Sequence, residues 1–258
     1  MTTLARSLLF NVAFFGWTAL ACIGLLWMLL LPRARMIRVV AWYMRTIHFL
    51  ERTIVGIDYQ VKGREHVPTT GPYLLAAKHQ SAWETMKLHL LVDDPAVILK
   101  KELTYVPIWG WYARKARMIA VDRGGRGRAV SSMLAGARAV AAEGRPIAIF
   151  PQGTRTAPGT WRAYRAGIGI LYEELGLPIV PMALNSGLYW PRRGFRKRPG
   201  TVTVEFLPPI PAGLPREEAV AALIASLEQA TDRLVTAAGG PATERPADAP
   251  LVARRSNT

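Results

Sequence analysis

Between Leu8 and Leu31 the chain carries no charged residue and is almost wholly apolar, a run longer than the roughly 20 residues a helix needs to cross a bilayer core. Such a segment has to be covered by lipid or by protein. A cleaved secretory signal is the competing reading, with Arg6 as its basic region and Ala19-Leu20-Ala21 resembling a cleavage site. The apolar run continues well past that point, and a signal peptide's apolar region is shorter. Arg33, Arg35 and Arg38 crowd the far flank while Arg6 stands almost alone before it. The excess of arginine on that side places the rest of the chain in the cytoplasm.

A second helical stretch is predicted from Met36 to Thr53, where Arg38, Arg45 and Arg52 recur every seven residues and share one face. Ile37, Val40, Ala41, Met44 and Ile47 fall largely opposite. A basic amphipathic helix of this kind suits the headgroup layer, or packs on a domain with its charges in water. Lysine and arginine outnumber aspartate and glutamate 33 to 18, for a net charge of +15, so an anionic surface is the expected partner. Arginines beside long apolar stretches fit lipid headgroups, and the aromatic stacking motifs of nucleic-acid binders are missing. Cys22 is the single cysteine, which excludes an intrachain disulfide and a thiolate zinc cluster.

Downstream, short β-rich runs alternate with helical ones. Strands are predicted at Tyr59–Lys62, Tyr73–Lys78, Ala96–Lys100, Met118–Val121, Ile147–Phe150, Ile179–Leu184 and Val202–Phe206. Helices are predicted at Trp83–Leu91, Arg128–Ala142, Ile168–Leu175 and Arg216–Ala237, several stopped by Gly144, Gly176 or Gly239. This rhythm indicates an α/β sheet covered by helices. The expected organisation is a membrane-anchoring module over residues 1–55, a catalytic domain over 56–237 and a disordered Gly-, Pro- and Ala-rich tail over 238–258.

Three clusters carry chemistry. In Lys78-His79-Gln80-Ser81-Ala82-Trp83-Glu84 a histidine ends an apolar strand and a carboxylate comes five residues later. A neutral imidazole can take a proton from an alcohol, and a carboxylate on its other nitrogen fixes the tautomer. Within one helix a spacing of five would set the two side chains roughly 140° apart, so His79 has to precede the helix. In Ile149-Phe150-Pro151-Gln152-Gly153-Thr154-Arg155, a strand, a turn and an arginine can present backbone donors and a guanidinium to an oxyanion. Val121-Asp122-Arg123 places a second arginine at a strand end, before Gly124, Gly125 and Gly127.

Together, in this order and spacing, these blocks resemble the glycerolipid acyltransferases of the 1-acylglycerol-3-phosphate acyltransferase type. His79 to Glu84 stands where the family has His-x4-Asp, and Val121-Asp122-Arg123 where it has a block ending in arginine. Phe150 to Arg155 stands where it has Phe-Pro-Glu-Gly-Thr-Arg, and Ile179-Val180-Pro181 where it has an apolar run with proline. The resemblance covers about Val61 to Leu207 and implies a mixed β-sheet covered by helices, of the glycerol-phosphate acyltransferase type, with an N-terminal helical membrane module. It implies a bacterial inner-membrane enzyme with a cytoplasmic catalytic domain, acylating the sn-2 hydroxyl of 1-acylglycerol-3-phosphate to phosphatidic acid. His79 would be the base and Glu84 its orienter. Arg123 and Arg155 would hold the acceptor phosphate, with Gln152, Gly153 and Thr154 completing the binding loop and backbone donors near Gly153 facing the oxyanion. Acyl-CoA or acyl-carrier protein would be the donor, the partners would be the lipid acceptor and an anionic membrane surface, and no metal or cofactor is implied. Acylation of a phosphate-free lysolipid such as a lyso-ornithine lipid, or a non-catalytic membrane-binding role, are the alternatives.

Two positions depart from the family pattern. Glu84 replaces aspartate, its extra methylene still allowing a bond to His79. Gln152 replaces glutamate, a neutral amide that both donates and accepts; restoring glutamate there is expected to be tolerated.

Overall fold

In the computed structural model, which describes residues 2–122 and 124–253, the apolar run forms α1 (Thr3–Gly24) and a 3₁₀ segment, Leu26–Leu30. The helix stops earlier than the apolar pattern does, because its end is taken over by partners from the domain. Tyr112 Oη donates to the Cys22 carbonyl at 3.3 Å and Lys115 Nζ to the Leu29 carbonyl at 2.7 Å. Helix α2 (Arg33–Leu50) begins directly after Pro32 and runs into one π-turn, Glu51–Val55. Gly56 then reverses the chain at φ 72°, a left-handed conformation that suits glycine. Arg38 and Arg45 are exposed on α2 and Arg52 is exposed in the π-turn, while Met36, Ile37 and Ile47 are buried.

Seven strands form one sheet: β1 (Ile57–Lys62), β2 (Leu74–Ala77), β3 (Ala96–Lys100), β4 (Ile119–Val121), β5 (Ile147–Ile149), β6 (Ile179–Leu184) and β7 (Gly200–Phe206). Their spatial order is β1-β7-β6-β2-β5-β3-β4. Every pairing is parallel except β6 with β7, so the sheet is mixed. Helices α3 (Trp83–Leu91), α4 (Trp109–Lys115), α5 (Arg126–Ala142), α6 (Gly167–Leu175) and α7 (Arg216–Ala237) complete the fold.

Alternation along the central strand sorts side chains between two cores. Leu74 and Ala76 of β2 face a core shared with Ile168, Leu171, Leu223 and Leu227 of α6 and α7. Leu75 and Ala77 face the opposite core, with Trp83 and Leu88 of α3 and with Phe10 of α1 and Val55. The N-terminal helices are therefore part of the domain's packing as well as an appendage to it. Composition predicts disorder over 238–258, of which 254–258 lie outside the described residues, but over residues 239–253 the chain has specific partners. Leu251 accepts from the Tyr164 N–H, Ala253 donates back to the Tyr164 carbonyl, and the Arg245 guanidinium lies 4.9 Å from the Trp161 ring centre. These contacts are long-range and leave no mark on local composition.

Candidate active site

Because β2, β5 and β6 run parallel and adjacent, the loops at their carboxyl ends leave the same edge of the sheet, where ligands of α/β proteins collect. The loop after β2 carries His79, the loop after β5 carries Gln152 to Arg155, and the chain after β6 carries Ser186. Sheet order alone thus assembles residues that are a hundred positions apart.

His79 lies in the turn before α3, as the spacing requires, and its Nδ1 stands 2.8 Å from Glu84 Oε1. That oxygen also accepts from the backbone N–H groups of Gln80 and Ser81, each at 2.7 Å, and Oε2 accepts from Ser186 Oγ at 2.7 Å. Glu84 is fully buried, and four donors compensate its desolvation. With Nδ1 donating to the carboxylate, the lone pair of His79 is on Nε2, the tautomer a general base needs. The imidazole stacks on Phe150, ring centres 4.0 Å apart, and its side chain keeps 14% exposure. Glu84 thereby spans the five-residue gap that glutamate's length allows, while its own helix start supplies the acceptor geometry.

The loop after β5 is fastened to this dyad. The Thr156 N–H donates to the His79 carbonyl at 2.7 Å. Gly153 turns the loop at φ 69°, and an added Cβ would meet Arg165 Cγ at 3.3 Å. Its N–H is already bonded to the Phe150 carbonyl at 2.9 Å, so it closes the turn and is not an oxyanion donor. Thr154 and Arg155 are half-buried; the Arg155 carbonyl accepts from Arg192 Nη1 at 2.9 Å, and its own Nε is buried without a partner among the described residues. Arg123 lies outside the described residues. Its neighbour Asp122 accepts from the Gly124 N–H at 2.9 Å and pairs with Lys101 at 3.0 Å, which together hold that carboxyl below its usual range.

Behind His79 lies a buried polar cluster that local motifs do not reveal. Lys78 Nζ donates to both oxygens of Glu228 on α7, at 2.6 and 2.7 Å, and Tyr164 Oη donates to Oε1 at 2.6 Å. Burial lowers the Lys78 pKa while Glu228 opposes it, and burial next to Glu228 raises that of Tyr164. Gln152 Nε2 points to the Arg162 carbonyl at 3.2 Å and sits 3.5 Å from Glu228 Oε1. Gln152 therefore belongs to this cluster, and its neutral amide matches a pocket in which Glu228 already balances Lys78. Glutamate at 152 would set two carboxylates side by side, which weighs against its being tolerated. The one sequence signal for Glu228 was an acidic residue within the buried stripe Leu223, Leu227, Ala230 and Thr231.

A family model described as Acyltransferase matches residues 58–185. A 1-acyl-sn-glycerol-3-phosphate acyltransferase from Limnanthes alba is 33% identical over 190 residues, covering 72% of this chain and 67% of that protein. The chain belongs to the acyltransferase family. A protein of the same name from Pseudomonas aeruginosa is 37% identical over 172 residues, 67% of this chain and 66% of its own length. The alignments thus span about two thirds of these acyltransferases. The fold matches the crystal structure of the 1-acyl-sn-glycerophosphate acyltransferase PlsC from Thermotoga maritima with a TM-score of 0.70, covering 88% of this chain and 97% of that one at 20% identity.

Proposed function

We propose that this acyltransferase moves a fatty acyl group from the thioester of acyl-CoA or acyl-carrier protein to the sn-2 hydroxyl of 1-acylglycerol-3-phosphate, giving phosphatidic acid. The observation that carries the reading is the His79–Glu84 pair at 2.8 Å on the carboxyl edge of the sheet, with Nε2 left to act. Nε2 takes the hydroxyl proton as the oxygen attacks the thioester carbonyl carbon, and Glu84 stabilises the resulting imidazolium. The tetrahedral intermediate collapses, the carbon–sulfur bond breaks, and the imidazolium proton goes to the departing thiolate. Arg155 and Arg123 hold the acceptor phosphate. Gln152, Gly153 and Thr154 shape the loop, and no cofactor takes part.

An apolar cavity of about 230 Å³ opens between the N-terminal helices and the domain, lined by Cys22, Met36, Tyr43, Met86, Trp109 and Tyr112. Its apolar lining and its place beside the N-terminal helices suit a fatty acyl chain. The setting is the cytoplasmic face of a bacterial inner membrane. Helix α1 is long and apolar enough to span a bilayer, but both of its ends are fastened to the same domain, Ser7 to Lys197 and Cys22 to Tyr112. That favours a helix lying in one leaflet, with Leu8, Val12, Phe15 and Leu20 exposed toward lipid.

The test incubates detergent-purified protein with a panel of lysolipids and both thioester donors and reads products by mass. Phosphatidic acid from lysophosphatidic acid is expected. Product from lyso-ornithine lipid alone would move the acceptor elsewhere, and no thiol release from either donor would end the enzymatic reading.

A further inference from the structure

The segment Pro191–Pro199 between β6 and β7 holds five cations in nine residues and no acid: Arg192, Arg193, Arg196, Lys197 and Arg198. Between them stands Phe195, 48% exposed. Burial rules do not require an aromatic side chain in water amid arginines, and the loop's attachments show what it is built against. The Lys197 N–H donates to Ser7 Oγ at 2.9 Å and Lys197 Nζ to Asn11 Oδ1 at 2.8 Å and to the Phe195 carbonyl at 3.2 Å. The same ammonium lies 5.9 Å from the Phe195 ring centre and 5.1 Å from that of Trp190. Lys197 is buried, so it serves as a pin and leaves the four arginines outward.

Asn11 shares a helix stripe with Leu4, Leu8 and Phe15, spaced three and four residues apart, and those three are 48%, 55% and 66% exposed. The Lys197 ammonium bonds to both Asn11 Oδ1 and the Phe195 carbonyl, so it holds Phe195 next to this stripe. Arg192 meanwhile reaches the Arg155 carbonyl, joining the loop to the phosphate-binding turn.

We propose that Pro191–Pro199 is a third membrane contact, in which Phe195 enters the headgroup boundary and Arg193, Arg196 and Arg198 engage anionic phospholipid. The inference rests on the membrane reading above and goes beyond it, since it assigns anionic-lipid preference to a loop distant in sequence from both helices. A rigid aromatic tip supplies apolar burial and the surrounding cations supply charge complementarity, the combination that gives stable surface attachment.

The test compares full-length wild type, Phe195→Ser and the double variant Arg193→Gln/Arg196→Gln by co-sedimentation with two kinds of vesicle, phosphatidylcholine alone and phosphatidylcholine mixed with phosphatidylglycerol. Each arginine at an anionic surface strengthens binding roughly five-fold, so the double variant should bind mixed vesicles roughly twenty-five-fold more weakly and neutral vesicles as wild type does. Phe195→Ser should weaken binding to both. Acylation in neutral detergent micelles should be unchanged in every variant, which shows that the fold is intact. Wild-type affinity of both variants for mixed vesicles overturns the loop proposal alone. A wild type that binds neither vesicle overturns the membrane reading together with it. A double variant that binds vesicles normally yet loses turnover only with acyl-carrier protein overturns the proposal by assigning the loop to that acidic donor.

Discussion

At the scale of single residues, the proposed mechanism has His79 and Glu84 divide the work of one base. His79→Ala should lower turnover roughly 10²- to 10⁴-fold while thermal unfolding stays unchanged. Glu84→Gln keeps the length and loses the charge, so kcat should fall more than acceptor KM rises; Glu84→Asp keeps the charge but is too short for all four donors, and should retain part of the rate. Equal, negligible effects of the two would separate Glu84 from the base. Arg155→Ala should cost about 1.5–3 kcal/mol in kcat/KM for lysophosphatidic acid and little for monoacylglycerol, with Arg155→Lys recovering part. Equal loss on both acceptors would place Arg155 in folding or donor binding. Gln152→Glu should be harmful, because it sets a second carboxylate 3.5 Å from Glu228, and Gln152→Glu/Glu228→Gln should recover activity by restoring one negative charge beside Lys78. If the single variant is as active as wild type, the charge balance does not govern the site. The dyad was legible because its partners are five residues apart and share a turn. Ser186, Tyr164 and Glu228 were not, since tertiary packing alone brings Ser186 to Glu84 and Tyr164 and Glu228 to Lys78, and the neighbour that bears on Gln152 lies on α7.

Among elements, the strands and the long helices are set by period and punctuation, because their apolar patterns are regular. Helix α4 is not. Its seven residues carry two tryptophans and a tyrosine with no amphipathic repeat, and what fixes it is tertiary: Gly110 passes so close to Thr104 that a Cβ would lie 2.2 Å from the Thr104 carbonyl oxygen. The end of α2 is likewise set by a contact no pattern shows. Glu51, in the π-turn, lies 2.7 Å from Lys87 Nζ on α3, and both side chains are wholly buried. Burial lowers the Lys87 pKa and Glu51 opposes it. Breaking such a pair leaves an uncompensated charge and costs about 3–5 kcal/mol, whereas apolar replacement of both partners is often neutral. Glu51→Gln should therefore lower stability by that order in denaturant unfolding, and Glu51→Leu/Lys87→Met should regain most of it. A Glu51→Gln protein as stable as wild type would mean that Lys87 sheds its proton without cost.

At the scale of the whole molecule, the match to the family model begins at residue 58 and ends at 185, yet the fold does not divide there. Phe10 and Val55 are buried in the core that also holds Trp83, Val180 and Phe206, and α7 supplies Glu228 to the cluster behind His79. The N-terminal helices, which sequence reads as an anchor, thus serve two purposes: they present an apolar surface outward and close a core inward. This changes what their removal should do. A mere anchor could be deleted with activity on dispersed substrate preserved. Deleting residues 1–55 should instead uncover the side chains that Phe10 and Val55 cover, at about 1.5–3 kcal/mol for each large apolar side chain lost, and take away Glu51, leaving Lys87 unpaired. The truncated chain should unfold at lower denaturant concentration and aggregate, and it should lose turnover even on short-chain lysolipid presented below its micellar concentration, where no membrane is needed. Phe15→Ser and Leu20→Ser in the full chain act on exposed positions, so they should weaken vesicle binding with stability and soluble-substrate turnover kept. A truncated domain with wild-type stability and full activity on dispersed substrate would show that the helices only anchor.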